Sequence, residues 1–497
     1  MMAAGQQSDP RAMMRLLEGL VSPDSLAHAA LQDWVPTGLG LDSRRVPEGG
    51  LFLACRGQHG HGLDYLDEAV ARGAGALAWE PGPEIAVPET AIPEIAVPEL
   101  SRHASTIADR FFGQPSARLP VVGITGTNGK SSVAHLIAHA LESAGNPAGL
   151  MGTLGAGRPG ALEETALTTL DAVAVQSWLA RLEESGARRV AMEVSSHALV
   201  QHRVSGVRFT GAVFTNLSHD HLDYHGTLDH YARAKSRLFA HPELQWAVLN
   251  SADPEAGRMA AQLPAGARCI RYGPDSGEVA LEARTEADGL DIRITGTLGE
   301  ARIRSTWLGR FNAANLVAAY CVLRLFEYEP GQAARWLAEV PPVPGRMEAF
   351  GGAGQPRLVV DYAHTPDALE QVLAALREHA PGRVWCLFGC GGERDTAKRP
   401  RMGQVAARGA DRVVVTDDNP RGEPGEHIVA DILRGSGTRV GVTRDREQAI
   451  REAWQAAAPG DVILVAGKGH ESSQEIAGEK HPFSDRELAR LLVEEAE

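Results

Sequence analysis

A chain of 497 residues, 43% hydrophobic and 23% charged, has the balance expected of a soluble globular protein and is too long for one ordinary core. Asp and Glu number 63 against 49 Lys and Arg, a net charge of −14 that argues against general affinity for nucleic acid or an anionic membrane. Any anionic substrate must then be held by local groups working against the overall field. The five cysteines (Cys55, Cys269, Cys321, Cys386, Cys390) form no CxxC pair and have no histidine at zinc-like spacing, so buried, reduced thiols are expected. The opening MMAAGQQSDPRAMMRLLEGL lacks the apolar core of a signal peptide, and no run approaches the roughly 20 apolar residues that span a bilayer. A cytoplasmic protein, working as a monomer, is expected.

In chain order, the first segment to stand out is PEIAVPE at 83–89, repeated at 93–99. Its Pro and Glu content predicts an exposed loop or a sheet edge without chemistry. Beyond it, short β-rich runs alternate with helical patterns. One series falls at 120–125, 190–194, 211–215 and 247–250, and a second at 358–361, 384–388, 413–416 and 462–466. Near-continuous apolar runs of this length predict parallel strands covered by helices on both faces. Most lead straight into a polar or glycine-rich cluster, and such sheets bind ligands at the carboxyl ends of their strands. PPVPGR at 341–346 separates the two series as a stiff, turn-rich linker. The expected fold is α/β in three domains, over 1–115, 116–345 and 346–497.

The segment GITGTNGKS at 123–131 follows an apolar run and opens a helical pattern. Its glycines let the backbone turn several N–H groups and a helix N-terminus toward a polyphosphate. Lys130 can then neutralise β/γ oxygens, and the Ser131 hydroxyl can coordinate Mg²⁺. The strict phosphate-loop spacing is not met, because Ile124 stands where its first glycine belongs; Gly123 and Gly126 are shifted alternatives. A glycine-rich turn with an accidental lysine fits poorly between a strand and a helix. ATP binding follows, and the loop leaves open which reaction uses it.

Two further strand ends are loaded with polar groups, MEVSSH at 192–197 and NLSHDHLDYH at 216–225. The Glu193 carboxylate can hold Mg²⁺, which prefers oxygen ligands and keeps several waters. Four histidines and three aspartates within 218–230 cannot all be core residues unless paired. Magnesium-assisted phosphoryl chemistry is the favoured reading; a zinc or structural site and a solvated loop are the alternatives.

TGTNGKSS (125–132), EVSSH (193–197), HDHLDYHG (219–226) and GRFNAAN (309–315) together resemble the Mur ligase family. DSR (42–44), DYAHTPD (361–367), DNPR (418–421) and GKGHE (467–471) look like its diaminopimelate-adding branch. The resemblance implies a smaller N-terminal UDP-binding domain, a central phosphate-loop ATPase domain and a C-terminal Rossmann-like domain that takes the amino acid. Gly126, Thr127, Asn128, Gly129, Lys130, Ser131 and Ser132 are then expected to bind ATP. Asn312 matches an adenine contact, and Arg346 and Asp361 match positions near the nucleotide. Lys235 matches the family's carbamylated lysine, which without the family would read as an ordinary helix-surface lysine. Lys235 as carbamate, Glu193, His221 and Ser131 form the implied set for two Mg²⁺ ions, with Lys130 completing the catalytic group.

For UDP-N-acetylmuramoyl-L-alanyl-D-glutamate the resemblance points to Leu41, Ser43, Gln58, His59 and Gly60, and to Thr168, Thr169, Ser195, Gln201 and Arg203. The family has proline after the Thr-Thr pair, whereas this chain has Leu170. For meso-diaminopimelate it points to Arg394, Asp418, Asn419, Pro420, Arg421, Gly467 and Glu471. An arginine can clamp the distal carboxylate of that amino acid, and carboxylates can pair with its ammonium. The implied reaction makes an acyl phosphate from ATP, which the incoming amine then attacks, with His364 a candidate base and closure expected about 341–346. Competing readings are a lysine-adding homologue, a folylpolyglutamate-synthase relative, and a non-catalytic sensor of UDP-muramyl precursors.

Overall fold

The computed structural model describes residues 12–57, 60–86, 89–275, 277–352, 354–437 and 440–496. They form two compact units, one running up to Val279 and including Cys321–Tyr328, the other comprising Ala280–Tyr320 and the chain from Glu329 onward. No helix among the described residues is long and apolar enough to cross a membrane. Of the five cysteines, none forms a disulfide; Cys321, Cys386 and Cys390 are buried, while Cys55 and Cys269 are half-buried.

The first unit begins with a four-stranded parallel sheet, Leu39–Gly40, Leu51–Ala54, Ala76–Trp79 and Glu94–Ala96. Strand side chains alternate between faces, so Leu51, Leu53, Ala76 and Ala78 pack with the helix Leu100–Phe111 while Phe52, Ala54, Leu77 and Trp79 build a second core opposite. The second copy of PEIAVPE supplies the outer strand, burying Ile95 and Val97, and its prolines fall outside the strand. The edge expected of the duplication is therefore what its second copy forms.

The larger sheet of this unit carries six parallel strands in the order Arg268–Gly273, Trp246–Asn250, Phe209–Phe214, Val121–Thr125, Arg189–Glu193 and Ala148–Gly152. Gly155–Arg158 and Ala161–Glu163 extend it antiparallel. Every residue of Val121–Thr125 is buried, which is why the sequence reads there as a continuous apolar run rather than an alternation. Ile124 pairs with Glu193 and Thr125 with Phe214, so three strand ends open side by side at one edge.

The second unit is built on a sheet ordered Glu348–Gly351, Arg357–Asp361, Val462–Ala466, Val384–Phe388, Arg412–Val415 and Val440–Val442. All pairings are parallel except the first. Pro366–His379, Lys398–Gly409 and Gly425–Ser436 cover one face over Val359, Cys386 and Leu464. Arg446–Ala456 and Asp485–Glu494 cover the other over Val360, Leu387 and Val465. All eight apolar runs singled out in the sequence are strands, shifted by at most a few residues at their ends.

Beneath the carboxyl-end edge of the second unit's sheet lies an ion pair with no exposure on either side, Arg446 with Asp485. Arg446 Nε and Nη2 each donate to an Asp485 oxygen at 2.8 Å, and Nη2 also donates to the Ala466 carbonyl at 3.0 Å. The pair fastens two helices to the end of the central strand. Removing one partner leaves the other charged and buried. Arg446→Ala is expected to destabilise this unit by about 3–5 kcal/mol, read as a lower urea midpoint.

Candidate active site

The phosphate loop leaves Val121–Thr125 and enters the helix Lys130–Ser143, whose N-cap Gly129 sits at φ +84°. Gly126, at φ +150°, is required by space as well as conformation, since a Cβ there would lie 1.9 Å from Thr215 Oγ1. The loop is held from the neighbouring strand end. Thr127 N donates to the Asn216 carbonyl at 2.8 Å, Asn128 N to Asn216 Oδ1 at 2.9 Å, and Thr215 Oγ1 to the Asn128 carbonyl at 2.6 Å. Lys130 Nζ folds back on the Gly126 and Thr127 carbonyls at 3.0 and 2.8 Å.

Glu193 is buried at the next strand end. Its carboxylate accepts Ser131 Oγ at 2.9 Å, Thr153 N at 2.8 Å and Thr153 Oγ1 at 3.3 Å. Lys235 is 1% exposed on the helix Leu228–Ser236, and its Nζ lies 2.8 Å from the Gly126 carbonyl and 4.3 Å from the Tyr231 ring centre. Two lysines thus share one carbonyl oxygen. Burial, and then the charge of Lys130, hold the Lys235 ammonium well below the usual lysine range.

His221 stands at φ +52° ahead of the one-turn helix Leu222–His225. Its ring lies 4.9 Å from that of His197 and 6.2 Å from that of Tyr231, the side chain that also lies against Lys235. His225 is buried with Nε2 2.9 Å from Ser196 Oγ; burial and then His197 push its imidazole down to about 4, so it is a neutral packing group. Among the described residues no three His, Cys, Asp or Glu side chains converge as a metal cage. Ser131 and Glu193 do meet, and a hydroxyl beside a carboxylate is the hard oxygen donor set that suits Mg²⁺.

Of the groups expected to hold the UDP-linked substrate, Thr168, Thr169, Ser195, Gln201 and Arg203 form one connected cluster. Thr169 Oγ1 donates to the Glu193 carbonyl at 2.9 Å and accepts Ser195 N at 3.0 Å. Arg203 donates to the Thr169 carbonyl at 2.7 Å and to Gln201 Oε1 through Nε and Nη2, at 3.0 and 2.6 Å. Thr168 Oγ1 lies 3.1 Å from Thr153 Oγ1, tying this cluster to Glu193. Leu170 packs against the core under the sheet. On the N-terminal sheet, Ser43 is buried with its hydroxyl on Glu68, Leu41 packs half-buried on the core, and the Gly60 carbonyl accepts Gly57 N at 2.9 Å. Gln58 and His59 lie outside the described residues.

In the second unit, Asn312 is buried, donating to the Leu308 carbonyl and accepting Asn315 Nδ2, both at 2.8 Å. Arg346 stacks over the Tyr362 ring at 4.7 Å. Asp361 accepts Met347 N at 2.8 Å and Ala363 N at 2.7 Å; burial pushes its carboxyl up, and Arg346 opposes that. His364 is exposed, with Nδ1 2.9 Å from the Tyr362 carbonyl.

Four loops meet at this unit's strand ends. Gly391 lies between two of the expected arginines, for a Cβ placed on it would be 2.9 Å from Arg421 Nη1 and 3.7 Å from Arg394 Cγ. Arg421 sits at φ +54°, held by its N–H on the Glu475 carbonyl at 3.0 Å and by Nη1 on the Gly392 carbonyl at 2.8 Å. Gly467, at φ +118°, makes room for Asp418, whose Oδ2 would lie 2.2 Å from a Cβ. Burial pushes the Asp418 carboxyl up, opposed chiefly by Arg446 and Lys468. Asn419 is engaged at both ends of its amide, by Glu471 on Nδ2 and by Lys468 and Glu475 N on Oδ1. Three contributors were not singled out from the sequence: Asn216, Lys468, and the hairpin Ser473–Ile476 with Glu479–Pro482. Lys468 lies inside GKGHE, but spacing gives no sign that it is buried.

A glycine loop between a buried parallel strand and a helix N-terminus, with a buried carboxylate on its serine, has the geometry of a polyphosphate-using α/β enzyme. Family models match in three stretches: "Mur ligase family, catalytic domain" over 36–109, "Mur ligase middle domain" over 124–323 and "Mur ligase, glutamate ligase domain" over 345–469. A protein from Alkalilimnicola ehrlichii named UDP-N-acetylmuramoyl-L-alanyl-D-glutamate--2,6-diaminopimelate ligase is 50% identical, covering 92% of this chain and 95% of its own. A Pseudomonas aeruginosa protein of the same name is 47% identical, covering 95% and 98%. A solved structure so named is 35% identical with a TM-score of 0.72, covering 94% of this chain and 96% of that one. The chain belongs to the Mur ligase family.

The buried Lys235 has a stability consequence. With its folded pKa below the unfolded one, the unfolded chain binds more protons between the two values. Stability therefore rises with pH through that window, and the cost of burial is largest below it. Lys235→Met keeps the volume and removes the charge. Its thermal midpoint at neutral pH, in buffer free of metal and bicarbonate, is expected to exceed that of the parent, with a flatter rise toward alkaline pH. A lower midpoint would show the ammonium to be net stabilising.

Proposed function

We propose that this chain is the ATP-dependent ligase that joins meso-diaminopimelate to UDP-N-acetylmuramoyl-L-alanyl-D-glutamate, giving the UDP-muramyl tripeptide of peptidoglycan synthesis in the cytoplasm. The observation that carries this reading is the 50% identity, across nearly the whole of both chains, to a relative bearing that name. The two strand-end clusters support it, one suited to a polyphosphate and one to a charged amino acid. The domains are assigned over 1–115 for the UDP-linked substrate, 116–345 for ATP and 346–497 for the amino acid.

The first step is attack of the substrate's terminal carboxylate on the γ-phosphorus of ATP, forming an acyl phosphate and releasing ADP. A carboxylate alone would have to expel oxide, and phosphorylation gives it a leaving group. Such transfers depend mainly on positioning and charge neutralisation. Loop N–H groups from Gly126 to Ser132 cradle the phosphates, and Lys130 moves from the loop carbonyls onto the β/γ oxygens. Asn312, Arg346 and Asp361 are the further nucleotide contacts. Ser131, Glu193, His221 and Lys235 as its carbamate would hold Mg²⁺, which supplies charge neutralisation for the transferring phosphoryl group. Carbamylation needs a neutral amine to attack carbon dioxide and lose a proton, and the environment of Lys235 favours the neutral form.

In the second step the neutral diaminopimelate amine attacks the acyl carbon and gives up a proton, for which the exposed His364 is the candidate acceptor, and phosphate leaves from the tetrahedral intermediate. Arg394 and Arg421 take the distal carboxylate, while Asp418 and Glu471 take the distal ammonium. L-Lysine lacks that carboxylate and would leave two arginines facing its ammonium.

Phosphate release is measured with ATP, the UDP-muramyl dipeptide and either amino acid. Release is expected with meso-diaminopimelate and lower by about 100-fold or more with L-lysine. Release with neither sinks the ligase, and release with lysine alone sinks the specificity. Lys235→Ala is expected to lose about 100-fold or more in kcat; full activity would overturn the carbamate.

A further inference from the structure

The turn after the strand Val462–Ala466 carries Lys468, an ammonium with no exposure. A buried charge is tolerated where its hydrogen-bonding capacity is filled. Lys468 has three N–H donors and three acceptors meet them: Asn419 Oδ1 at 2.9 Å, Glu471 Oε2 at 2.9 Å and the Ser473 carbonyl at 2.7 Å. The acceptors come from three segments: the DNPR loop, the GKGHE turn and the hairpin. Asn419 closes the ring, since its Nδ2 donates to the same Glu471 oxygen at 2.9 Å and its Oδ1 also accepts Glu475 N at 3.0 Å.

The consequence is directional. Glu471 Oε2 receives two donors from inside the protein, while Oε1 has no hydrogen bond among the described residues on a side chain that is 34% exposed. One carboxylate oxygen is fixed inward and the other is presented outward, as a charged amine would require. Lys468 itself has no donor left over for a ligand.

We propose that Lys468 is the positioning residue of the amino-acid subsite, aiming Glu471, with Asn419 as its brace, at the distal ammonium of the incoming diamino acid without touching it. This rests on the diaminopimelate reading above. A residue that merely fills space there would affect folding and all three substrates alike. A residue that aims Glu471 would affect one substrate, and only while the carboxylate is present.

The test is steady-state phosphate release by the full chain, with ATP, the UDP-muramyl dipeptide and meso-diaminopimelate varied in turn. Lys468→Met is expected to raise the KM for diaminopimelate about 10- to 100-fold while the other two KM values stay within about twofold. Placed on Glu471→Gln, the same change is expected to add less than about threefold, because the two residues act as a unit. Additive effects, or KM values rising together for all three substrates, overturn the proposal. Lys468→Gln keeps a donor without the charge and is expected to give an intermediate diaminopimelate KM. It answers the question if the methionine variant does not fold, and an unchanged KM there also overturns the proposal. Parent enzyme that releases no phosphate with diaminopimelate would instead remove the functional reading itself.

Discussion

The strand Val121–Thr125 lies between Arg189–Glu193 and Phe209–Phe214, and the register of those two pairings sets the geometry of the nucleotide half. All three strands run the same way, so their last residues reach the edge together and the chain leaving each one meets the chain leaving the others. That is how Asn216, after one strand, accepts from Thr127 N and Asn128 N and donates through Nδ2 to the Asn128 carbonyl in the loop after the next, and how Glu193 reaches Ser131. A slip of one residue would turn Glu193 to the opposite face of the sheet. Such a slip would separate the Glu193 carboxylate from Ser131 Oγ and Thr153 N and leave it buried without those partners.

The chain carries a net charge of −14, yet ATP and the UDP-linked substrate of the proposed reaction are anions. The structure meets that by concentrating cations and backbone dipoles at strand ends. At the phosphate loop two lysine nitrogens lie on one carbonyl oxygen, at the N-terminus of a 14-residue helix. In the second unit the charges are buried in pairs and rings: Arg446 with Asp485, and Lys468 with Glu471 and Asn419. At the loop, burial and then the charge of Lys130 disfavour a second cation at Lys235, whereas in the second unit each buried cation is matched by a carboxylate.

The strands of the two large sheets were legible in the sequence because both of their faces are covered, which removes the alternation that a half-exposed strand shows. The N-terminal sheet was not, since its strands run two to four residues and one of them is the second copy of a Pro/Glu duplication. The hairpin Ser473–Ile476 with Glu479–Pro482 was also missed; it is largely exposed and polar, with no apolar period to read. Phosphate-loop chemistry was readable because backbone N–H groups and glycines perform it, and local sequence specifies those. Lys235 shows the limit. Helical spacing alone makes it a surface lysine, and only the packing of its helix against the loop makes it a buried amine beside Gly126.

The amino-acid subsite differs in kind from the phosphate loop, and the difference bears on how selectivity can change. The loop offers main-chain groups, so many side-chain changes around it leave the donors in place. The proposed subsite offers side chains that are themselves held by other side chains and by the hairpin. Arg421 stands at positive φ because the Glu475 carbonyl takes its N–H, and Gln474 Nε2 donates to the Asp418 carbonyl at 2.8 Å. Substituting Arg421 alone would remove a charge while leaving the DNPR backbone clamped by the hairpin. Coupling of this sort makes single substitutions poor at converting one amino-acid preference into another, because the shape and the charge are fixed by different segments.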